Sequence, residues 1–370
     1  MMKTRIASLA LLATSVAVSF AVTASAGSAD KMSQAKPMFV TLPSNYAGHV
    51  APIHPTAQLV QWNGSFTDLT NKQVNYTMVG TDPATSNAPT TIPVILIPIK
   101  MVYGAANGNM TFDPKTMIVS NGKTIMQNIK ASPLFKSSID YVQGGVDLGK
   151  TQYIDAFQRG NFWSSVHTNT NYHVLLGSPT SAPEQTIKVL PGEGMVEANP
   201  FGAGQVGTME IDLFDKKLQA MITKLTAINP GVLPIFITGD IYLTEGICCI
   251  GGYHSANGSQ PGGQTYAYST YVDSPGAFSQ DVGALSHEIG EWMDDPFVDN
   301  NVNCNDNSIM EDGDPLENNA NYGDFPYTVK GFTYNLQSLV FIGYFGAPRS
   351  TSVNSWLSFQ NDEANVCPGQ

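Results

Sequence analysis

The pattern of apolar and polar residues divides the chain into a β-rich first half and a second half that mixes helices and strands. Short apolar or alternating runs bounded by Gly, Pro and Asn predict strands at residues 59–62, 73–79, 91–103, 172–176 and 185–190. Helical periodicity predicts short helices at residues 125–135 and 153–163. The prolines within residues 91–103 favour an edge or bulged strand, because proline donates no hydrogen bond to a sheet.

A longer helix and several strands are predicted in the second half. One shared apolar face predicts a helix over residues 211–228, formed by Ile211, Phe214, Leu218, Met221, Ile222 and Leu225. An apolar run at residues 232–244 predicts a buried strand, and the alternating aromatic run at residues 264–273 predicts a strand with one half-exposed face. Residues 191–207 are rich in Gly and Pro, so they mark either a domain boundary or a long surface loop.

These patterns together predict an α+β fold. A β-rich region is expected over residues 27–190, and a region of mixed sheet and helix over residues 191–370. The first of these regions is either a propeptide or an integral part of the fold, and the pattern leaves both open.

The helical pattern between Ser279 and Pro296 is where we place the chemistry. Ser279 is predicted as the N-cap, and Pro296 ends the helix because the residue before a proline avoids helical angles. At about 100° per residue, His287 and Glu291 point away from the apolar stripe and lie one turn apart, where they could bind one ion. Glu288 is rotated to a position beside such an ion. The stripe itself consists of Val282, Leu285, Ile289 and Trp292.

Composition and charge restrict the possible functions. A charged start, an apolar run and small residues up to Ala26 predict a signal peptide over residues 1–26. The mature chain is therefore expected to be secreted, to the extracellular space or the periplasm, with no membrane association after cleavage. The net charge of −12 and the pI of about 4.8 argue against nucleic acid and anionic membranes as partners.

The four cysteines are Cys248, Cys249, Cys304 and Cys367. An even number in an exported chain predicts two disulfides. We expect Cys248 and Cys249 to pair outward with Cys304 and Cys367, since a bond between adjacent residues strains the peptide. Their spacing contains no CxxC pair and does not indicate a metal site.

The string His287-Glu288-Ile289-Gly290-Glu291 differs by one residue from the HExxH motif of zinc peptidases. In this respect the chain resembles the zincin-like metallopeptidases. The resemblance implies that His287 and Glu291 bind zinc and that Glu288 acts as the general base. It also implies that the strand at residues 264–273 is an edge to which an extended peptide substrate adds.

The third metal ligand is open, because no histidine follows Glu291. Asp314 is our choice, since Gly313 and Pro315 suit a residue presented on a turn. The alternatives are Asp294, Asp295, Glu311 and His254. One histidine and two carboxylates would neutralise a divalent ion and loosen the preference for zinc, so zinc is expected from the resemblance.

The function predicted from these features is a secreted metal-dependent peptidase that acts on protein or peptide substrates. The alternative is a non-enzymatic secreted binding or adhesion module, with a polar Asn-rich surface that binds carbohydrate and with structural Ca²⁺ in its acidic loops. In the competing interpretation of the motif, His287 is a surface histidine hydrogen-bonded to a neighbouring carboxylate.

Overall fold

The computed structural model describes residues 34–46, 48–49, 57–67, 71–143, 146–162, 166, 168–169, 171–304, 307–310, 324–337, 340–341 and 363–364. Within these ranges the chain is a mixed α+β protein, as predicted. Its α-helices are α1 (Ile125–Ala131), α2 (Tyr153–Asn161), α3 (Ile211–Lys224) and α4 (Gly283–Asp294). No helix of these described ranges is long and apolar enough to cross a membrane.

The strands before α3 are β1 (Met38–Thr41), β2 (Gln61–Thr67), β3 (Gln73–Val79), β4 (Thr90–Ile92), β5 (Val94–Tyr103), β6 (Thr111–Phe112), β7 (Ile139–Gln143), β8 (Val146–Thr151), β9 (Val174–Leu176), β10 (Thr180–Ser181), β11 (Gln185–Val189), β12 (Val196–Ala198) and β13 (Gln205–Glu210). The strands after α3 are β14 (Leu233–Gly239), β15 (Ile241–Glu245), β16 (Ile247–Asn257), β17 (Gln264–Tyr271), β18 (Asn301–Cys304), β19 (Asn307–Ile309), β20 (Asp324–Val329), β21 (Phe332–Gln337), β22 (Val340–Phe341) and β23 (Glu363–Ala364).

One large mixed sheet of eleven strands organises the described chain. Its order is β10-β5-β14-β17-β16-β15-β13-β12, with β1, β6 and β11 paired alongside. Strands β5, β14 and β17 run parallel, and β16 returns antiparallel to β17. Strands from residues 27–190 and from residues 191–370 therefore share this sheet, and β12 and β13 lie at one end of it.

Two strand predictions were wrong in detail. Strand β17 is not an edge, because it pairs with β14 on one side and β16 on the other, and all its residues are buried. Strand β5 also lies inside the sheet, although it contains Pro98. On the side of β5 opposite β14, strand β10 pairs with Ile95 and Leu96 and strand β11 pairs from Ile99 onward. Pro98 therefore falls in the gap between these two partners and interrupts no ladder there.

The helix that carries the motif ends where it was predicted but begins later. Helix α4 ends at Asp294, two residues before Pro296, and its N-cap is Val282 rather than Ser279. The Ser279 hydroxyl donates instead to the Tyr242 hydroxyl at 3.1 Å. Asp281, in the left-handed conformation with φ of 44°, accepts the backbone N–H of Asn335 at 3.0 Å. Tertiary contacts therefore displace the local capping signal.

Helix α4 is buried on every side. Its apolar stripe lies in the main core, as predicted, where Ile289 and Trp292 join residues of the first half such as Met78 and Phe157. The opposite side packs against β16 and β17, and every residue of the helix is buried. His287 is only 4% exposed, so the interpretation of this residue as a surface histidine is wrong.

The predicted outward pairing of the cysteines was wrong for the pair on β16. Cys248 and Cys249 form a disulfide with each other, with their Cα atoms 3.1 Å apart across a cis peptide bond. The side chain of Cys304 and the whole of Cys367 lie outside the described residues.

Candidate metal centre

Two adjacent elements bring the motif residues and one additional histidine together. Strand β16 presents His254, and helix α4, which packs on this strand, presents Glu288 and Glu291. One possible ligand atom from each of these three side chains lies within 4.8 Å of the other two. His254 was only an alternative in the sequence analysis, because the motif does not show which strand will pack against the helix.

The hydrogen bonding of His254 defines which nitrogen faces the carboxylates. Its Nε2 lies 3.2 Å from the backbone carbonyl oxygen of Asp295, which can only accept, so Nε2 carries the proton. The Nδ1 lone pair then faces Glu288 Oε2 at 3.5 Å and Glu291 Oε2 at 3.7 Å. A lone pair and two ionised carboxylates that converge in a buried position repel one another unless a cation or a shared proton lies between them.

His287 lies on the other side of Glu291. Its Nε2 is 3.0 Å from Glu291 Oε1, so the two oxygens of this carboxylate face two different imidazoles. The Nδ1 of His287 is hydrogen-bonded to Gln337 Oε1 on β21. The backbone N–H of Gln337 in turn donates to the hydroxyl of Ser286 at 2.8 Å. Helix α4 and strand β21 therefore fix the ring and leave its Nε2 directed at Glu291.

The N-terminal strand covers this ring. Phe39 on β1 stacks on the imidazole of His287, with ring centroids 3.9 Å apart and planes inclined by 22°. Strand β1 runs parallel to β16, with Phe39 opposite Gly252 and Thr41 opposite His254. Neither Phe39 nor Gln337 was found from the sequence, because each lies far from the motif along the chain and neither belongs to a recognisable pattern.

A glycine on β16 makes room for Glu288. A Cβ atom on Gly252 would lie 2.6 Å from Glu288 Oε1 and 2.7 Å from Glu288 Cγ. A side chain at this position would therefore displace the Glu288 carboxylate or the strand. The strand approaches the helix closely where the ligand-type atoms converge.

The acidic residues at the end of α4, Asp294 and Asp295, do not belong to the group of His254, Glu288 and Glu291. Asp295 accepts the backbone N–H groups of Asp299 at 3.0 Å and of Asn300 at 3.2 Å. Burial raises its pKa well above the ordinary value, while these backbone hydrogen bonds oppose the shift. Asp295 thus stabilises the following turn. Asp294 is buried but does not belong to the compact group of possible ligands among the described residues.

Asp314, the predicted third ligand, lies outside the described residues, as does Glu311. The described group whose ligand-type atoms converge is His254, Glu288 and Glu291, which offers a divalent ion one imidazole nitrogen and two carboxylates. His287 Nε2 reaches the other oxygen of Glu291 but does not belong to that group. A divalent ion there would compensate the two buried carboxylates beside His254 Nδ1, as would a proton shared between these groups.

No known family model, no curated protein and no solved structure matches this chain. The function is therefore argued from the geometry of the site itself.

Proposed function

We propose that this chain is an exported metal-dependent peptidase whose catalytic region is zincin-like. The observation that supports it is the approach of His254 Nδ1 to the carboxylates of Glu288 and Glu291 on the helix that carries the HExxE string. Three side chains with this chemistry at one buried point are typical of a metal centre. Zinc is the expected ion because of the resemblance of the HExxE string to the HExxH motif. Exchanging Glu288 of this group for the neighbouring His287 also gives two histidines and one glutamate, the ligand set of several zinc peptidases.

We assign the ligand role to His254, His287 and Glu291. Glu291 lies between the two imidazoles. Its Oε1 is 3.0 Å from His287 Nε2, and its Oε2 is 3.7 Å from His254 Nδ1. Glu288 Oε2 lies 3.5 Å from His254 Nδ1, slightly nearer than Glu291. We place it beside the ion because it is one residue out of phase with the His287–Glu291 face of the helix and because the resemblance gives this position the role of the general base. This set replaces one carboxylate of the expected set by a second imidazole. Because this ligand set carries less negative charge, the bound ion would be a stronger Lewis acid. Asp314 remains a further ligand candidate.

The proposed reaction is hydrolysis of a peptide bond. A divalent ion at this position supplies Lewis-acid activation of a water molecule and of the scissile carbonyl. Glu288 accepts a proton from the attacking water and delivers it to the nitrogen of the leaving amine, so that the carboxylate is regenerated when the C–N bond breaks. Gln337 holds His287 in one tautomer, which keeps its Nε2 available to the ion.

Access to this centre requires a movement, since Glu288 and Glu291 are at most 1% exposed. Strand β1 and its residue Phe39 are the described segment that lies over His287. Among the described strands, β1 pairs only with β16, so its other side is a sheet edge on the strand that covers His287. An extended peptide can add to this edge, or enter after β1 moves. This edge takes the role that the sequence analysis gave to β17.

The deciding experiment is metal analysis of the purified chain together with digestion of unfolded casein across a range of pH. We expect about one equivalent of a transition metal, and digestion that a chelator abolishes and added zinc restores. If the chain instead holds stoichiometric calcium and digests nothing at any pH, the peptidase proposal fails. The secreted binding module then becomes the better proposal.

A further inference from the structure

A polar groove is lined in part by the loop that follows α4. It has a volume of about 380 Å³. Three segments line it: the β2–β3 hairpin, Gln260 in the turn after β16, and residues 299–301. Its lining contains six amide side chains, one hydroxyl and one carboxylate, with Tyr76 as the single aromatic residue.

Hydrogen bonds between its walls fix the polar groups of the groove. The hydroxyl of Thr77 lies 2.8 Å from both Asn63 Oδ1 and Gln260 Oε1. Gln260 Nε2 donates to Asp299 Oδ2 at 3.1 Å. Because Thr77 has one hydroxyl proton, only one of these two amides accepts it, and the other can turn an N–H group towards the hydroxyl oxygen. These contacts hold the polar side chains in place before any ligand arrives, which lowers the entropic cost of binding.

The loop is also firmly attached to the hairpin. The buried side chain of Asn300 accepts the backbone N–H of Thr77 at 2.7 Å and donates to the carbonyl oxygen of Thr77 at 2.8 Å. The same amide donates to the carbonyl oxygen of Asp294 at 2.7 Å, at the end of α4. Hydrogen bonds of Asn300 therefore join the hairpin, the loop and the end of α4. The groove is attached to the helix of the candidate metal centre but shares no residue with that centre.

The chemistry of the lining selects among ligand classes. No Lys, Arg or His lines the groove, so it offers no positive charge to an anion. The single carboxylate of Asp299 is shared with Gln260, whereas calcium sites in proteins collect six to eight oxygens, several of them from carboxylates. Amide groups that both donate and accept match the hydroxyl groups of a sugar, which do the same.

We propose that this groove binds a neutral saccharide of one or two rings. Its volume lies near the lower end of the range for small-molecule sites, roughly 300 to 1,000 Å³. The amide of Asn63 and the carboxylate of Asp299, which both line the groove, are the groups we assign to hydroxyls of the bound sugar. This inference is independent of the proposed peptidase activity, because none of its residues belongs to the candidate metal centre.

The test measures binding of four neutral disaccharides, cellobiose, maltose, mannobiose and chitobiose, to the full exported chain. Saturation-transfer NMR detects binding, and calorimetry measures the affinity. We expect at least one disaccharide to bind with a Kd on the order of 1 mM. Asn63→Ala and Asp299→Asn should each weaken it about tenfold, because the first removes an amide that contacts a bound hydroxyl and the second replaces a charged acceptor by a weaker neutral one. Asn87→Ala, at an exposed asparagine outside the groove, should leave the affinity unchanged.

Three results would overturn the proposal. The first is the absence of a saturation-transfer NMR signal for all four sugars at about 10 mM, a concentration well above the expected Kd. The second is binding that Asn63→Ala and Asp299→Asn do not weaken while their melting temperatures stay normal. The third is Ca²⁺ binding that these variants abolish, in a chain that binds no sugar, which would identify the groove as a cation site. Disaccharide binding that persists after a chelator is added supports the proposal that the groove binds sugar independently of the metal centre.

Discussion

His254 Nδ1 lies 3.5 Å from Glu288 Oε2, although the two residues belong to different elements and both are completely buried. The carbonyl of Asp295 fixes the proton of His254 on Nε2. The approach between a nitrogen lone pair and a carboxylate is therefore favourable when a metal ion or an additional proton lies between them. These two possibilities predict different responses to chelators.

Substitution of His254 should remove the metal. We expect His254→Gln to weaken zinc binding by more than about 100-fold, since even outer partners of metal ligands change affinity by about 10- to 100-fold. Competition with a chromophoric chelator measures this change. The matched control is His173→Gln, which breaks another histidine–carboxylate pair, at 2.7 Å from Asp155, outside the centre. Equal zinc affinity in the two variants would contradict the assignment.

Glu288→Gln should separate metal binding from catalysis. The amide keeps the size of the side chain but cannot accept the proton of the attacking water. Hydrolysis should therefore fall by about 10²- to 10⁴-fold. Zinc content and melting temperature should be unchanged, because in our assignment Glu288 is not a ligand. Loss of zinc together with activity would show instead that Glu288 belongs to the ligand set with His254 and Glu291.

Gln337 should act as a positioning residue through His287. Gln337→Leu removes the acceptor of the His287 Nδ1 proton, and we expect zinc affinity to fall about 10- to 100-fold. Gln337→Glu keeps an acceptor at this position and should restore most of the affinity. Nitrogen NMR of labelled histidine would show the His287 tautomer. A purely structural role predicts equal losses in both variants and no change of tautomer.

The local parts of this structure could be predicted from the sequence, and the non-local parts could not. The stripe of Ile289 and Trp292 and the stop at Pro296 follow from helical spacing and proline chemistry. The predicted start of α4 was wrong, because the carboxylate of Asp281 accepts the backbone N–H of Asn335, 54 residues further along the chain. His254 meets Glu288 only through the packing of β16 on α4. No periodicity encodes such a contact.

Gly252→Ala should disturb the centre without removing any polar group. The added Cβ would lie 2.6 Å from Glu288 Oε1, so the carboxylate or the strand must shift. Overpacking of this kind costs about 1–3 kcal/mol, which urea unfolding can measure, and hydrolysis should fall as Glu288 is displaced. Gly104→Ala is the control, because a Cβ there has nothing within 4 Å. Full activity and stability of Gly252→Ala would show that Glu288 has more freedom than this contact implies.

A separate prediction concerns the dependence of stability on pH. Burial raises the pKa of Asp240 to about 6; the backbone N–H of Asp273 opposes the shift and the charge of that residue adds to it. The folded chain then binds more protons than the unfolded chain between about pH 4 and 6, so this residue's contribution is fully present below that window and is lost as the pH rises through it. Asp240→Asn should remove a pH-dependent term on the order of 2 kcal/mol. Asparagine tolerates the left-handed backbone at this position, where φ is 51°. Urea unfolding of both proteins at several pH values from 4 to 7 provides the measurement, and parallel stability profiles would contradict the prediction.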